Sequence, residues 1–334
     1  MFRLSYPMRP ATPLRFGATL VVALFLSACC RRLDLAALPP LPPGRMVEAG
    51  GHQLFVRQTG EGPDVVLLHG MGDSSLGWQF VEPELVKAGY RVTVWDALGA
   101  GRSDKPAHGD YRIVAHAERL ENVLDALEVR KAVLVGHSLG GSEALVFARK
   151  NPEKVRALVL LDPAAYRAGA MGGRWFWTTP LLADLVLGVL PSRTITWIAL
   201  KQNFHDRGKI SCEIEALYLR EARRPGTATA FIAQERQIVP DDPEKWEDGH
   251  RAIRQPALIL WGRKDRIVPV AQGERLAKDI EGSRLVVLPC VGHSPHLEAP
   301  QQVLEHVLPF LEEWHLIGKT DLAAVEVEKA LGDR

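Results

Sequence analysis

The chain carries no excess of charge of either sign. Its 334 residues hold 41 Lys plus Arg against 40 Asp plus Glu, a formal net charge of +1. A nucleic-acid-binding chain shows a clear basic excess, so nucleic acid is not an expected partner. No uninterrupted apolar run suffices to cross a bilayer: Phe16–Leu26 holds eleven residues, where a spanning helix needs about 20. Cysteine is scarce, four in all, and no clustered Cys/His spacing marks a metal site. Gly99-x-Gly101 lacks the third glycine of a nucleotide-phosphate fingerprint. Neither a metal nor a cofactor is therefore expected. Internal repeats are absent, as is low-complexity sequence outside one proline-rich stretch.

What is present is enough apolar residue, 46% of the chain, to bury a large core. The first 28 residues contain Arg3, Arg9 and Arg15, no acid, and the apolar run just named. A basic start, a short apolar stretch and small residues at its exit predict a secretory signal peptide over 1–28. The exit, Leu26-Ser27-Ala28-Cys29, resembles the bacterial lipoprotein box. That resemblance implies cleavage before Cys29 and lipidation of its thiol, which would place the protein on a membrane of the bacterial cell envelope. The alternative is an ordinary cleaved signal with Cys29 and Cys30 lying nearby. Cleavage removes three Arg, so the mature balance is 38 − 40 = −2. Several acyl chains on one cysteine give stable anchoring, where one chain binds marginally. Residues 29–45 then form a linker, stiffened by four prolines between Leu35 and Gly44.

From Met46 the chain alternates between strand and helix patterns. Gly50-Gly51 separates Met46–Ala49 from His52–Thr59, a hairpin signal. Strands are expected at Val65–His69, Arg91–Asp96, Lys131–Gly136 and Val155–Asp162, with helices at Ala115–Leu127 and Ser138–Lys150. The alternation breaks from Pro163 to Gln255, where helical patterns prevail. It resumes with strands at Pro256–Trp261 and Ser283–Leu288 and a helix over Gln301–His315. The expected fold is thus α/β, a mostly parallel central sheet flanked by helices. Residues 46–162 and 256–317 form the core, 163–255 an inserted helical cap, and 318–334 a tail.

The expected strand at 131–136 runs straight into Gly136-His137-Ser138-Leu139-Gly140 and then a helix. A serine hydroxyl is a weak nucleophile and must stand exposed beside a base. A strand–turn–helix elbow with small flanking residues achieves this, and the helix amino end faces the developing oxyanion. Gly-x-Ser-x-Gly arises by chance about 0.1 times in a chain of this length; the flanking strand and helix make the signal strong. Ser138 is the candidate nucleophile.

Here the chain is similar to the α/β-hydrolase superfamily, over roughly Met46 to Ile317. His69-Gly70-Met71-Gly72 follows the strand that precedes it in chain order. The resemblance implies that the backbone N–H groups of Met71 and Leu139 form an oxyanion hole. Asp96 to Ser103 resembles the family's Asp-x-x-Gly-x-Gly-x-Ser loop, taken as structural. Val291-Gly292-His293-Ser294-Pro295, with Glu298 and Pro300 beyond, matches the loop of the general base, implying His293; His296, three residues on, is its rival. Gly262-x-x-Asp265-x-x-Val268-Pro269 matches the loop of the orienting acid, implying Asp265. Asp162, at the end of the strand at 155–162, is the competing acid. Lys264 and Arg266 beside Asp265 are expected to be solvated.

Serine rather than aspartate at the elbow favours acyl transfer over an alkyl-enzyme route. The cap opens with Arg174-Trp175-Phe176-Trp177, then Pro180–Leu190 and Trp197, apolar residues that either wall a pocket or pack against the core. An apolar ester is the expected small-molecule substrate, making the protein a carboxylesterase or lipase-like enzyme. The alternatives of the same fold are carbon–carbon hydrolysis, a lactonase, a prolyl aminopeptidase or a perhydrolase. A catalytically inactive envelope binding protein is the alternative from another class. An exported compartment permits a disulfide, and Cys212 and Cys290 are the two cysteines of the folded part.

Overall fold

Hydrophobic side chains alternate to both faces of every central strand, so the sheet must be covered on both sides. The computed structural model describes residues 40–166, 190–238 and 242–314, with Leu35 and Leu38. The strands are β1 (Arg45–Ala49), β2 (His52–Thr59), β3 (Asp64–Leu68), β4 (Arg91–Trp95), β5 (Ala132–His137), β6 (Val155–Leu161), β7 (Ala257–Gly262) and β8 (Arg284–Leu288). They form one sheet in the order β1-β2-β4-β3-β5-β6-β7-β8. The β1–β2 and β2–β4 pairs are antiparallel and the other pairs are parallel. Ala49 pairs with His52 across Gly50-Gly51, whose φ values of 61° and 77° suit glycine at both positions of the tight turn.

On one face Val66, Leu68, Leu134, Ile259 and Trp261 pack into one buried cluster. On the other, Val65, Leu67, Val133, Val135, Leu258 and Leu260 pack into a second. Helices α1 (Glu82–Lys87), α2 (Ile113–Ala126) and α3 (Leu139–Lys150) lie in the first half of the chain. The segment between β6 and β7 is helical where it is described: α4 (Ser192–Asn203), α5 (Cys212–Ala222), α6 (Thr227–Gln237) and α7 (Pro243–Asp248). Then come α8 (Val270–Asp279), the single turn α9 (Pro295–Glu298) and a helix over residues 300–314. The signal peptide, Cys29, the aromatic run at 174–177, most of Pro180–Leu190 and the tail lie outside the described residues. Trp197 is buried with Leu200, Phe204, Ile214 and Leu297, so this aromatic of the cap packs inward. Cys290 is free and exposed, so Cys212 and Cys290 do not pair.

Between α2 and α3 two titratable side chains are fully buried. His116 Nδ1 lies 3.5 Å from Glu143 Oε1, and neither side chain has a hydrogen-bond partner among the described residues. Burial pushes the Glu143 carboxyl up to about 8, against a smaller opposing pull from Arg119. Burial, then the Arg119 charge, pushes the His116 imidazole down to about 3. At neutral pH this contact joins two uncharged groups and is no ion pair. The folded carboxyl keeps a proton that the unfolded chain releases, so stability falls as pH rises from the ordinary value of 4.5 towards about 8. His116 acts oppositely, but only from about 3 to its ordinary 6.5. Between 6.5 and about 8 His116 no longer offsets the decline that Glu143 contributes. Glu143→Gln should make the decline shallower, leaving the variant more stable than wild type at the upper end. Denaturant midpoints across that window check this; a decline as steep in Glu143→Gln as in wild type contradicts it.

Candidate active site

Strand β5 ends at His137, and the chain reverses at once into α3, with Ser138 between them. The reversal forces Ser138 to φ 50°, ψ −114°, a backbone state rarely adopted outside glycine. Only small neighbours tolerate it. A Cβ on Gly136 would meet the Gly140 carbonyl oxygen at 2.4 Å, and one on Gly140 the Leu68 oxygen at 2.3 Å. Ser138 stays partly exposed while the strand beneath it is buried.

Two loops at the same edge of the sheet bring side chains to Ser138. The loop after β8 presents His293, whose Nε2 lies 3.0 Å from Ser138 Oγ. The loop after β7 presents Asp265, whose Oδ2 lies 2.7 Å from His293 Nδ1. Asp265 Oδ1 also accepts from the backbone N–H groups of Ile267 (2.7 Å) and Val268 (2.9 Å), which fixes the carboxylate. Three groups drawn from residues 138, 265 and 293 thus form one hydrogen-bonded line. His296 is not part of it. It is fully buried, 4.4 Å from the His137 ring, and faces Asp73 at 3.7 Å. Asp162 makes no hydrogen bond to His293, although its carboxyl lies within 4.8 Å of both Asp265 and the His293 ring. Lys264 and Arg266 are exposed, as expected.

The loop after β3 approaches Ser138 closely. A Cβ on Gly70 would lie 3.2 Å from Ser138 Cβ. Met71, next in the chain, makes no backbone hydrogen bond through its N–H to any described residue. Leu139 opens α3, so its N–H has no carbonyl one turn back. Both donors are available for an oxygen held above Ser138. His69 braces this loop: its Nε2 accepts from Ala97 N–H (3.0 Å), and its Nδ1 donates to the Gly70 carbonyl (2.8 Å). Asp96 Oδ1 and Oδ2 accept from Ser75 N–H and Arg102 N–H (2.7 and 2.8 Å). The Ser103 hydroxyl donates to the Asp96 carbonyl and accepts from Phe55 N–H. The Asp96–Ser103 stretch is therefore structural.

Sequence reasoning missed several residues that hold the His293 loop. His137 donates through Nε2 to the His293 carbonyl at 2.7 Å. His293 N–H donates to the Asn203 carbonyl at the end of α4 (2.7 Å). Glu298 Oε2 accepts from Gly292 N–H (2.7 Å) and His205 N–H (3.0 Å), and Oε1 from Asp206 N–H (2.7 Å). Glu298 thus fastens the base loop to the segment inserted between β6 and β7. Its place at a family offset was visible; its partners His205 and Asp206, 93 and 92 residues upstream, were not.

A second cluster lies beneath the first. Ligand-capable atoms of Asp73, His137 and His296 all lie within 4.8 Å of one another. His137 Nδ1 and both His296 nitrogens have no hydrogen-bond partner among the described residues. Burial first, then the neighbouring His296 and His293, holds His137 well below its ordinary range. Burial likewise lowers His296, partly offset by Asp73. Neutral imidazoles and a carboxylate are a donor set that could hold a metal ion. No sequence spacing announced it, since its members lie at 73, 137 and 296.

A family model for the α/β hydrolase fold matches residues 63–300. The 2-hydroxy-6-oxo-2,4-heptadienoate hydrolase of Pseudomonas putida is 34% identical over 278 residues, spanning 80% of this chain and 96% of its own. The 2-hydroxymuconate semialdehyde hydrolase of a Pseudomonas species is 32% identical, spanning 81% and 94%. Among solved structures, a meta-cleavage product hydrolase of Pseudomonas fluorescens is similar with a TM-score of 0.69 at 27% identity, covering 81% of this chain and 98% of that one. An esterase of Thermogutta terrifontis gives 0.67 at 27% identity, covering 81% and 98%.

Proposed function

Because the chain belongs to the α/β hydrolase fold family, we propose that it is a serine hydrolase that cleaves a carbon–carbon bond beside a ketone, in substrates of the 2-hydroxy-6-oxo-dienoate type. The observation that carries the hydrolase is the hydrogen-bonded line Ser138–His293–Asp265. The choice of bond is supported by the 34% identity over most of both chains to a hydrolase of that substrate class. This moves the reading away from the apolar ester that the cap composition suggested.

Each residue has a role in that chemistry. His293 takes the Ser138 proton as the oxygen attacks the ketone carbon. Asp265 holds the imidazole with Nε2 towards serine and stabilises its charged form. The N–H groups of Met71 and Leu139 receive the developing oxyanion. The carbon–carbon bond breaks from the keto tautomer of the substrate, in which the 2-hydroxyl proton has moved to the leaving carbon; its electron pair then passes into the adjoining enone, and the dienolate oxygen so formed takes the proton from His293. Water, deprotonated by His293, hydrolyses the acyl-enzyme to a carboxylic acid and frees Ser138. One water is consumed and no cofactor enters the balance.

An ester remains the second reading, supported by the esterase similar at 27% identity, since the same acyl-enzyme serves both. Turnover of a 2-hydroxy-6-oxo-dienoate beside a chain-length series of p-nitrophenyl esters separates them. The expected result is a kcat/KM for the dienoate at least about tenfold above every ester. Ester turnover with no cleavage of the dienoate would overturn the choice of bond.

The leader motif supports a further proposal, that the mature protein begins at a lipidated Cys29 on a membrane of the cell envelope. Mass spectrometry of the mature amino terminus should find an acylated Cys29; an unmodified residue there refutes the anchor.

A further inference from the structure

Beside the triad acid lies a second carboxyl that the mechanism above does not use. Asp162 follows β6 directly and is 0% exposed. Its backbone adopts φ 44°, a conformation that non-glycine residues rarely take. The strained turn aims its side chain across the sheet edge to the end of β7. Asp162 Oδ1 accepts from Gly262 N–H at 2.9 Å. Gly262 in turn accepts from Asp265 N–H at 3.0 Å, so Asp162 is bonded to the residue that launches the acid loop. Carboxylate oxygens of Asp162 and Asp265 and a His293 ring nitrogen all lie within 4.8 Å of one another.

The hydrogen-bond pattern assigns the proton between the two acids. Asp265 accepts three hydrogen bonds, from Ile267 N–H, Val268 N–H and His293, an acceptor-only pattern that suits a carboxylate. Asp162 Oδ2 is fully buried and receives no hydrogen bond from any described donor. An ionised oxygen there would be desolvated with nothing to compensate it. A protonated one needs only an acceptor, and Asp265 is beside it. Burial first, then the Asp265 charge, holds the Asp162 carboxyl well above the ordinary carboxylate range, with Glu298 adding in the same direction.

We propose that Asp162 is a positioning residue of the triad: its carboxyl is protonated and donates a hydrogen bond to the Asp265 carboxylate. The pair carries one negative charge, and that charge sits on the acid that faces His293. Removal of Asp265 leaves Asp162 free to ionise within reach of the His293 ring, so Asp162 is also a reserve acid.

The proposal rests on the serine-hydrolase reading, and a fluorophosphonate probe tests both apart. Labelling rate is followed over roughly pH 5 to 9, where its acid limb reports the base. The titratable groups facing Asp162 are Asp265, His293 and Glu298. Asp162→Asn keeps an acceptor for Gly262 N–H and a donor for Asp265. Its acid limb should stay unmoved, because no charge has changed. Asp265→Ala should retain about one hundredth of the rate, and adding Asp162→Asn should remove at least about tenfold more. A residue that merely caps the loop would give no such dependence on Asp265. An acid limb shifted by about one pH unit in Asp162→Asn, or a second substitution without effect in Asp265→Ala, overturns the proposal. Should those variants fail to fold, infrared spectroscopy of Glu143→Gln decides, since that substitution removes the other carboxyl that burial holds neutral among the described residues. A protonated-carboxyl band at neutral pH is expected, and its absence overturns the proposal. A wild type that the probe does not label removes the hydrolase reading, and this proposal with it.

Discussion

Ser138→Ala is expected to lower kcat/KM by at least about ten-thousandfold while the thermal midpoint stays within about 3 °C of wild type. The two halves of this expectation have separate origins. The Ser138 hydroxyl makes one hydrogen bond among the described residues, to His293 Nε2, and caps no helix. Its loss therefore leaves the packing unchanged. The positive φ of Ser138 is already borne by a residue with a Cβ, so alanine adds no strain that serine lacks. Catalysis loses the atom that forms the acyl-enzyme, leaving only what the oxyanion donors and substrate binding supply. A chain that lost activity by unfolding would show it in the midpoint. Steady-state kinetics and a melting curve on the same preparation separate the cases, and turnover within tenfold of wild type would contradict the assignment.

Gly262→Ala should lose stability and activity together. A Cβ there would lie 2.0 Å from the Gly292 carbonyl oxygen and 2.6 Å from that of Val291. Both neighbours are backbone, so no side chain can swing aside. Gly262 leads into the Asp265 loop and Gly292 into His293; one methyl group would wedge acid and base apart. It would also disturb the Gly262 N–H donated to Asp162. Overpacking of this kind costs about 1–3 kcal/mol or more, and a shift of about 1 Å in a catalytic group costs about a hundredfold in rate. Denaturant unfolding and fluorophosphonate labelling read the two effects. Wild-type stability with wild-type labelling would show that the β7 and β8 loops do not meet here.

What was legible in the sequence was local. The elbow is five consecutive residues after an apolar strand, and the turn needs its glycines, so Gly136–Gly140 announces itself. The acid and base loops read similarly, because each is a short motif following a strand. The strand ends were placed within a residue or two: β5 reaches His137 and β7 reaches Gly262, one residue past their expected ends. What escaped was whatever depends on distant pairs. Asp162 stood as a rival to Asp265, and nothing local revealed that the two lie side by side. His137 looked like a variable position of the elbow, yet its ring holds the His293 carbonyl from 156 residues away. The Asp73–His137–His296 cluster and the neutral His116–Glu143 contact arise only when α2, α3 and the loops close over the sheet. The free Cys290 likewise became apparent from its exposed place beside the base loop.

The central claim is that Ser138 is the nucleophile, made so by His293 and Asp265. Wild type treated with a fluorophosphonate, digested and mapped by mass spectrometry tests it most directly. One adduct is expected, on the peptide containing Gly136-His137-Ser138-Leu139-Gly140, at Ser138 itself and absent from Ser138→Ala. An unlabelled folded wild type, or an adduct that persists in Ser138→Ala, would contradict the account.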